Sequence, residues 1–223
     1  MNDVVLAAQG VGKVVGGRRI LWPLSLTLRS QRLLVIQGPN GAGKSSLLRI
    51  LAGRWSRTEG QLHWFGRPVA REGQVDARVG YLGHESLLSE HFDLRENLRL
   101  YAWLWRLPDR LRRIEEALDL TGLRWCASDP LYVYSQGMRQ RAEWARIILV
   151  QPRLLLLDEP LSHVETDRHN PLCRWVSDQL KRGASAVITT HDAGEWQSYA
   201  DGVARLQGGR WRAWEPMREV GRA

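Results

Sequence analysis

Three short apolar runs punctuate the chain, and each of them ends in polar residues. Leu33–Gln37 enters a Gly-rich turn and is followed by Ser46-Leu47-Leu48-Arg49-Ile50-Leu51 with helical spacing, so the pattern predicts strand, loop, helix. A second run, 154–157, ends in Asp158-Glu159-Pro160, and a third, 184–190, ends at His191. Continuous apolar runs of this length predict parallel strands buried on both faces. Between them Asn170-Pro171 supplies an N-cap with Pro at the first helical position, and Gly183 closes the helix, which predicts a βαβ unit.

The stretch from about 86 to 150 changes period. Asp93-Leu94-Arg95-Glu96 forms a capping box, and Leu94, Leu98, Tyr101 and Trp105 recur at helical spacing. A second helix is predicted over 109–120, stopped by Gly122, and a third over 137–150, which together make 86–150 a helical insert. No internal repeat is evident, and 1–223 is expected to be one domain around that insert. The segment Arg210-Trp211-Arg212-Ala213-Trp214 has no clear period and fits either a packed strand or a contact surface.

Composition narrows the classes. With 223 residues, 43% of them hydrophobic, the chain can bury a sizeable core, which excludes disorder as the main state. Of 32 basic residues only Lys13, Lys44 and Lys181 are lysines, so the net charge of +8 rests on arginines that stay protonated and favour anionic partners. Cys126 and Cys173 lie far apart without metal-ligand spacing, which argues against a disulfide framework or a cysteine metal site. No run approaches the roughly 18 to 20 apolar residues of a membrane span. The acidic start Met1-Asn2-Asp3 is not that of a signal peptide.

The chemistry concentrates in two places. Gly38-Pro39-Asn40-Gly41-Ala42-Gly43-Lys44-Ser45 fits G-x-x-x-x-G-K-[ST] between a predicted strand and helix, as a phosphate loop requires. Its glycines let backbone N–H groups turn towards phosphate oxygens, and the following helix, with Ser46 in its first turn, adds its positive end. Lys44 would neutralise the β- and γ-phosphates of ATP, and the Ser45 hydroxyl would ligate Mg²⁺. Asp158 and Glu159, at the rim of a hydrophobic sheet, need a cation nearby. The economical one is that same metal, held by Asp158 through water, with Glu159 facing the γ-phosphate as general base or water-orienting residue.

These residues resemble the ATP-binding-cassette (ABC) ATPases over nearly the whole chain. The match includes Gly38 to Ser45, the degenerate signature Tyr134-Ser135-Gln136-Gly137-Met138 with Arg139-Gln140-Arg141 after it, residues 154–160, and His191. The resemblance implies an α/β P-loop NTPase fold with a mostly parallel core sheet, an N-terminal antiparallel β portion and an inserted helical subdomain. It implies a homodimer or pseudo-dimer, in which Ser135 and Gly137 of one subunit bind the ATP held by the other. His191 would then contact the γ-phosphate. Four departures from the family pattern stand out. His84 or Glu85 occupies the place of a metal-touching glutamine; no aromatic stands near Val15 to stack on adenine, so that contact would be aliphatic; Glu165 replaces an aspartate; and Gln136 and Met138 alter the signature, which points to a slower or partner-dependent ATPase.

The implied activity is ATP hydrolysis that drives a separate integral-membrane permease, with the chain peripheral on the cytoplasmic face of the inner membrane. Leu94, Leu98, Tyr101, Trp103, Leu104 and Trp105 offer a docking groove, or else an internal core. Tyr81-Leu82-Gly83-His84, residues 135–141 and the compact end are similar to the ATPase subunit of the cytochrome c maturation haem exporter. An exporter of another cargo is the alternative. A soluble ATPase acting on nucleic acid is disfavoured, because neither a second cassette nor a long coiled insert is present.

Overall fold

The computed structural model describes residues 3–70, 72–162, 170–192, 194, 196 and 198–215. Strands β1 (Val4–Val15), β2 (Arg18–Arg29), β4 (Glu59–Trp64) and β5 (Arg67–Pro68) form an antiparallel sheet in the order β2-β1-β4-β5. The second sheet takes β3 (Leu33–Gln37), β6 (Val79–Leu82), β7 (Leu154–Asp158), β8 (Ser185–Thr190), β9 (Gly202–Gln207) and β10 (Arg210–Glu215), in the order β10-β9-β3-β8-β7-β6. All its pairings are parallel except β9 with β10. The Arg/Trp segment is thus a strand, with Trp211 packed on the core between the sheets.

The period of two along these strands divides the interior. Leu34, Ile36, Leu154, Leu156 and Val187 face the antiparallel sheet, whereas Leu33, Val35, Leu155, Leu157, Ala186 and Ile188 face the helical side. Helix α1 (Lys44–Leu51) lies between the sheets and buries Leu47, Leu48, Ile50 and Leu51 there. Its C-terminal carbonyl at Leu51 accepts the Trp64 indole N–H at 2.8 Å, which satisfies a group the helix itself cannot pair.

The insert between β6 and β7 contains α2 (Leu94–Leu104), α3 (Arg110–Thr121) and α4 (Gln136–Val150). The capping box forms: the Asp93 side chain accepts from the Glu96 N–H, and the Glu96 side chain accepts from the Asp93 N–H. Gly122 ends α3 at φ 64°. Helix α4 begins one residue earlier than the spacing predicts, because Ser135 caps it by accepting the Met138 N–H, so Gly137 lies inside the first turn. Trp105 ends α2 as its C-cap and does not extend the stripe. Helix α5 (Pro171–Lys181) completes the βαβ unit, capped by the Asn170 side chain.

The proposed docking set divides. Leu94 and Leu98 are fully buried against α3 and α4, while Trp103 and Leu104 stay 63% and 52% exposed. No helix among the described residues is long and apolar enough to cross a membrane.

Candidate nucleotide site

Parallel strands end together by register. Leu82 pairs with Leu157, Asp158 with Thr189, and Gln37 with Thr190, so β3, β6, β7 and β8 deliver their following residues to one crevice at the sheet's carboxyl edge. A cavity of about 350 Å³ opens there, lined by Ile20, Asn40, Gly41, Ala42, Gly43, Lys44, Ser45, Ser46, His84, Glu159, Ser162 and His191. Gly38 and Pro39 frame it from the base of the loop by accepting the Lys44 ammonium at 2.7 and 3.3 Å.

The loop needs glycine where the chain is tightest. Gly43 has φ 101°, and a Cβ there would lie 2.8 Å from Leu21 Cδ2. No side chain caps α1, so its first N–H groups remain for an anion in the concavity. The loop is braced by the β9–β10 turn, where the Gly209 N–H donates to Ala42 O at 3.0 Å.

The two carboxylates at the end of β7 have different settings. Asp158 is 1% exposed; its Oδ1 accepts the Thr189 hydroxyl, while its buried Oδ2 accepts no hydrogen bond. Glu159 takes the left-handed backbone region at φ 45°, a conformation that costs a non-glycine residue about 1 to 3 kcal/mol. Its Oε1 lies 3.4 Å from Lys44 Nζ, and its Oε2 lies 3.1 Å from His191 Nδ1. A cation, a carboxylate and an imidazole therefore meet over the loop. Negative charge also reaches Tyr81: burial pushes its phenol above the ordinary value, and the Asp158 carboxylate adds to that push.

His84 and Glu85 separate cleanly. His84 lines the cavity with Nε2 at 3.7 Å from Asp158 Oδ2. Glu85 is turned out, 78% exposed at its side chain, and pairs with Arg49 at 2.9 Å. The unpartnered buried Asp158 oxygen at the end of β7, with Ser45 and the phosphate loop lining the cavity, fits a magnesium ion carried by a triphosphate. Among the described residues no group of three or more His, Cys, Asp or Glu could hold a metal, so phosphate or water oxygens would complete any such shell.

The signature stands apart from its own phosphate loop. Neither Ser135 nor Gly137 lines the cavity of Lys44; their neighbours Tyr134, Gln136, Arg139 and Gln140 border a larger cleft of about 520 Å³ that also includes His84 and Ser162. Helix α4 is nevertheless tied to the nucleotide side. Glu143, 4% exposed, accepts the Ser86 hydroxyl at 2.7 Å and the Leu87 N–H at 2.6 Å, and pairs with Arg146, which donates to Tyr81 O. Trp144 Nε1 donates to Pro160 O at 2.8 Å, next to Glu159. Val15 ends β1 at 44% exposure and is not among the cavity-lining residues; Ile20, on the next strand, is the aliphatic wall instead. Glu165 lies outside the described residues.

Ile20, Ser162 and Thr189 were not legible as site residues, and only Ser162, three positions after Glu159, carried a local cue.

The sequence model of the family described as ABC transporter matches residues 21–162. The cytochrome c biogenesis ATP-binding export protein CcmA of Cupriavidus necator is 36% identical over 188 residues, covering 84% of this chain and 83% of that protein. The hemin import ATP-binding protein HmuV of Streptomyces coelicolor is 33% identical, covering 98% of this chain and 80% of its own. A solved dimeric ATP-binding cassette in a post-hydrolysis state, bound to ADP and Pi, superposes with a TM-score of 0.84 at 21% identity, covering 96% of this chain and all of that one. With the phosphate loop, the paired carboxylates and the facing histidine on one sheet edge, the chain belongs to the ABC transporter family, as an ATP-binding and ATP-hydrolysing domain.

Proposed function

We propose that two copies of this chain close on two MgATP, hydrolyse them and drive a separate integral-membrane permease that exports haem for cytochrome c maturation. The observation that carries the catalytic half is the meeting of Lys44, Glu159 and His191 over one phosphate loop. Lys44 neutralises the β- and γ-phosphates, and the loop's N–H groups orient them. Glu159 accepts a proton from the attacking water, and His191, bonded to the Glu159 carboxylate, holds that water and the γ-phosphate in line. Ser45 and Asp158 would hold Mg²⁺, with His84 beside them; bound there, the ion would offset phosphate charge.

The dimer is supported by the position of Ser135 at the N-terminus of α4, outside its own cavity, where the helix end suits the γ-phosphate of a second copy. ATP must favour the closed pair, and loss of the γ-phosphate must release it, for hydrolysis to do work on a partner. Exposed Trp103 and Leu104 on α2 supply apolar area for the permease. The chain would sit on the cytoplasmic face of the inner membrane, and nucleic acid is not the expected partner.

Cargo rests on the likeness to the CcmA protein. Cells in which Glu159→Gln replaces the natural chain should lose covalently attached haem in their c-type cytochromes, read by haem staining. Normal cytochromes with impaired hemin uptake would instead favour the import reading that the Streptomyces coelicolor relative suggests.

A further inference from the structure

The turn that braces the phosphate loop is itself laced to β2 at three successive points. The Gly209 carbonyl accepts the Trp22 N–H at 2.9 Å, the Arg210 guanidinium lies over the Trp22 ring with Cζ 3.4 Å from its centre, and the Trp211 indole donates to Ser25 O at 3.3 Å. Gly209 is thereby pinched between β2 and the loop. A Cβ there, at φ 71°, would lie 2.3 Å from Ile20 O, while the Gly209 N–H donates to Ala42 O. The middle lace stands at the surface: Trp22 is 40% exposed, and Arg210, also exposed, covers one side of its ring. Arg19 lies farther from the same ring, at 5.0 Å, and is engaged by Glu59.

We infer that Arg210 is a positioning residue for the phosphate loop: stacked on Trp22, it sets the β9–β10 turn so that Gly209 holds the Ala42 carbonyl and fixes the cradle for a triphosphate. The inference rests on the reading that the cavity takes ATP. A guanidinium over an indole face is drawn by the ring's negative quadrupole, and Gly209 is the residue next to Arg210, so the stack and the brace move together. The N–H groups of the loop must converge on phosphate oxygens. A turn that drifts lowers the fraction of chains in the competent geometry, and apparent affinity falls by that fraction.

Equilibrium titration of the full chain with Mg²⁺ and a non-hydrolysable ATP analogue tests this. Arg210→Ala should raise Kd about two- to fivefold, the effect of losing one exposed cation–π contact. In a chain that already carries Trp22→Leu, the same change should add nothing. Arg212→Ala removes an equal charge two residues along and should leave Kd where it is. Hydrogen exchange at the Gly209 amide should accelerate in Arg210→Ala, which reads the brace itself. A Kd unchanged in Arg210→Ala overturns the inference and leaves nucleotide binding intact. So does an equal loss in Arg212→Ala or in the Trp22→Leu background, since the charge would then act without the ring, and so does unaltered exchange at Gly209. A natural chain that binds no nucleotide overturns both this inference and the reading of the cavity.

Discussion

Asp158 and Glu159 are neighbours with the same charge and different work. Asp158 is fixed by Thr189 and keeps one oxygen free, whereas Glu159 accepts backbone strain to hold its carboxylate between Lys44 and His191. Glu159→Gln preserves shape and removes the carboxylate proposed to accept the proton. Phosphate release should fall by about 10²- to 10⁴-fold while equilibrium titration shows ATP still bound. Lys44→Ala removes the cation proposed to neutralise the phosphates, and nucleotide affinity should drop by about 1.5 to 3 kcal/mol in the same titration. The loop around Lys44 could be read from the chain because its glycines and lysine act within one short span. Thr189 could not: its hydroxyl matters only because β8 sits in register with β7, which places it on a carboxylate 31 residues away in sequence. The choice between His84 and Glu85 likewise needed the position of Arg49 on α1.

Helices α2 and α4 show how the insert is stiffened. Asp93→Ala removes the cap of α2 and should cost about 1 kcal/mol in urea denaturation. Glu143→Ala should cost more, about 3 to 5 kcal/mol, because it strands the buried Arg146. It should also free the Leu87 amide, whose hydrogen exchange is expected to accelerate. The helices announced themselves through caps and stripes, but Glu143 in the middle of α4 gave no sign of being anything except a solvated charge. Strand β1 is bulged, with register shifts such as that between Ala8 and Val11, so its alternation is broken, whereas Leu24-Ser25-Leu26-Thr27-Leu28 in β2 alternates buried and exposed and is a strand signal left unused. Their antiparallel pairing entered the expectation through family resemblance alone.

Two copies are needed to complete the chemistry if Ser135 serves its partner's nucleotide. Ser135→Arg alone and Glu159→Gln alone should each be inactive. Mixing them should restore hydrolysis, because a mixed pair keeps one natural Glu159 opposite one natural Ser135; phosphate release from the mixture and from each variant checks this. No recovery on mixing, with each variant inactive alone, would mean that Ser135 does not act on its partner's nucleotide.

Strand β3 gives rise to the phosphate cradle, yet both strands that flank it, β8 and β9, are made more than 145 residues later, and the Gly209 brace later still. A growing polypeptide on the ribosome thus presents its nucleotide-holding loop long before β8, β9 and the Gly209 brace can support it. A message cut short ahead of Gly202 would encode the cradle, both acids and His191 but neither the strand that flanks β3 on its far side nor the Gly209 brace, so the loop's full set of supports arrives only with β9 and β10.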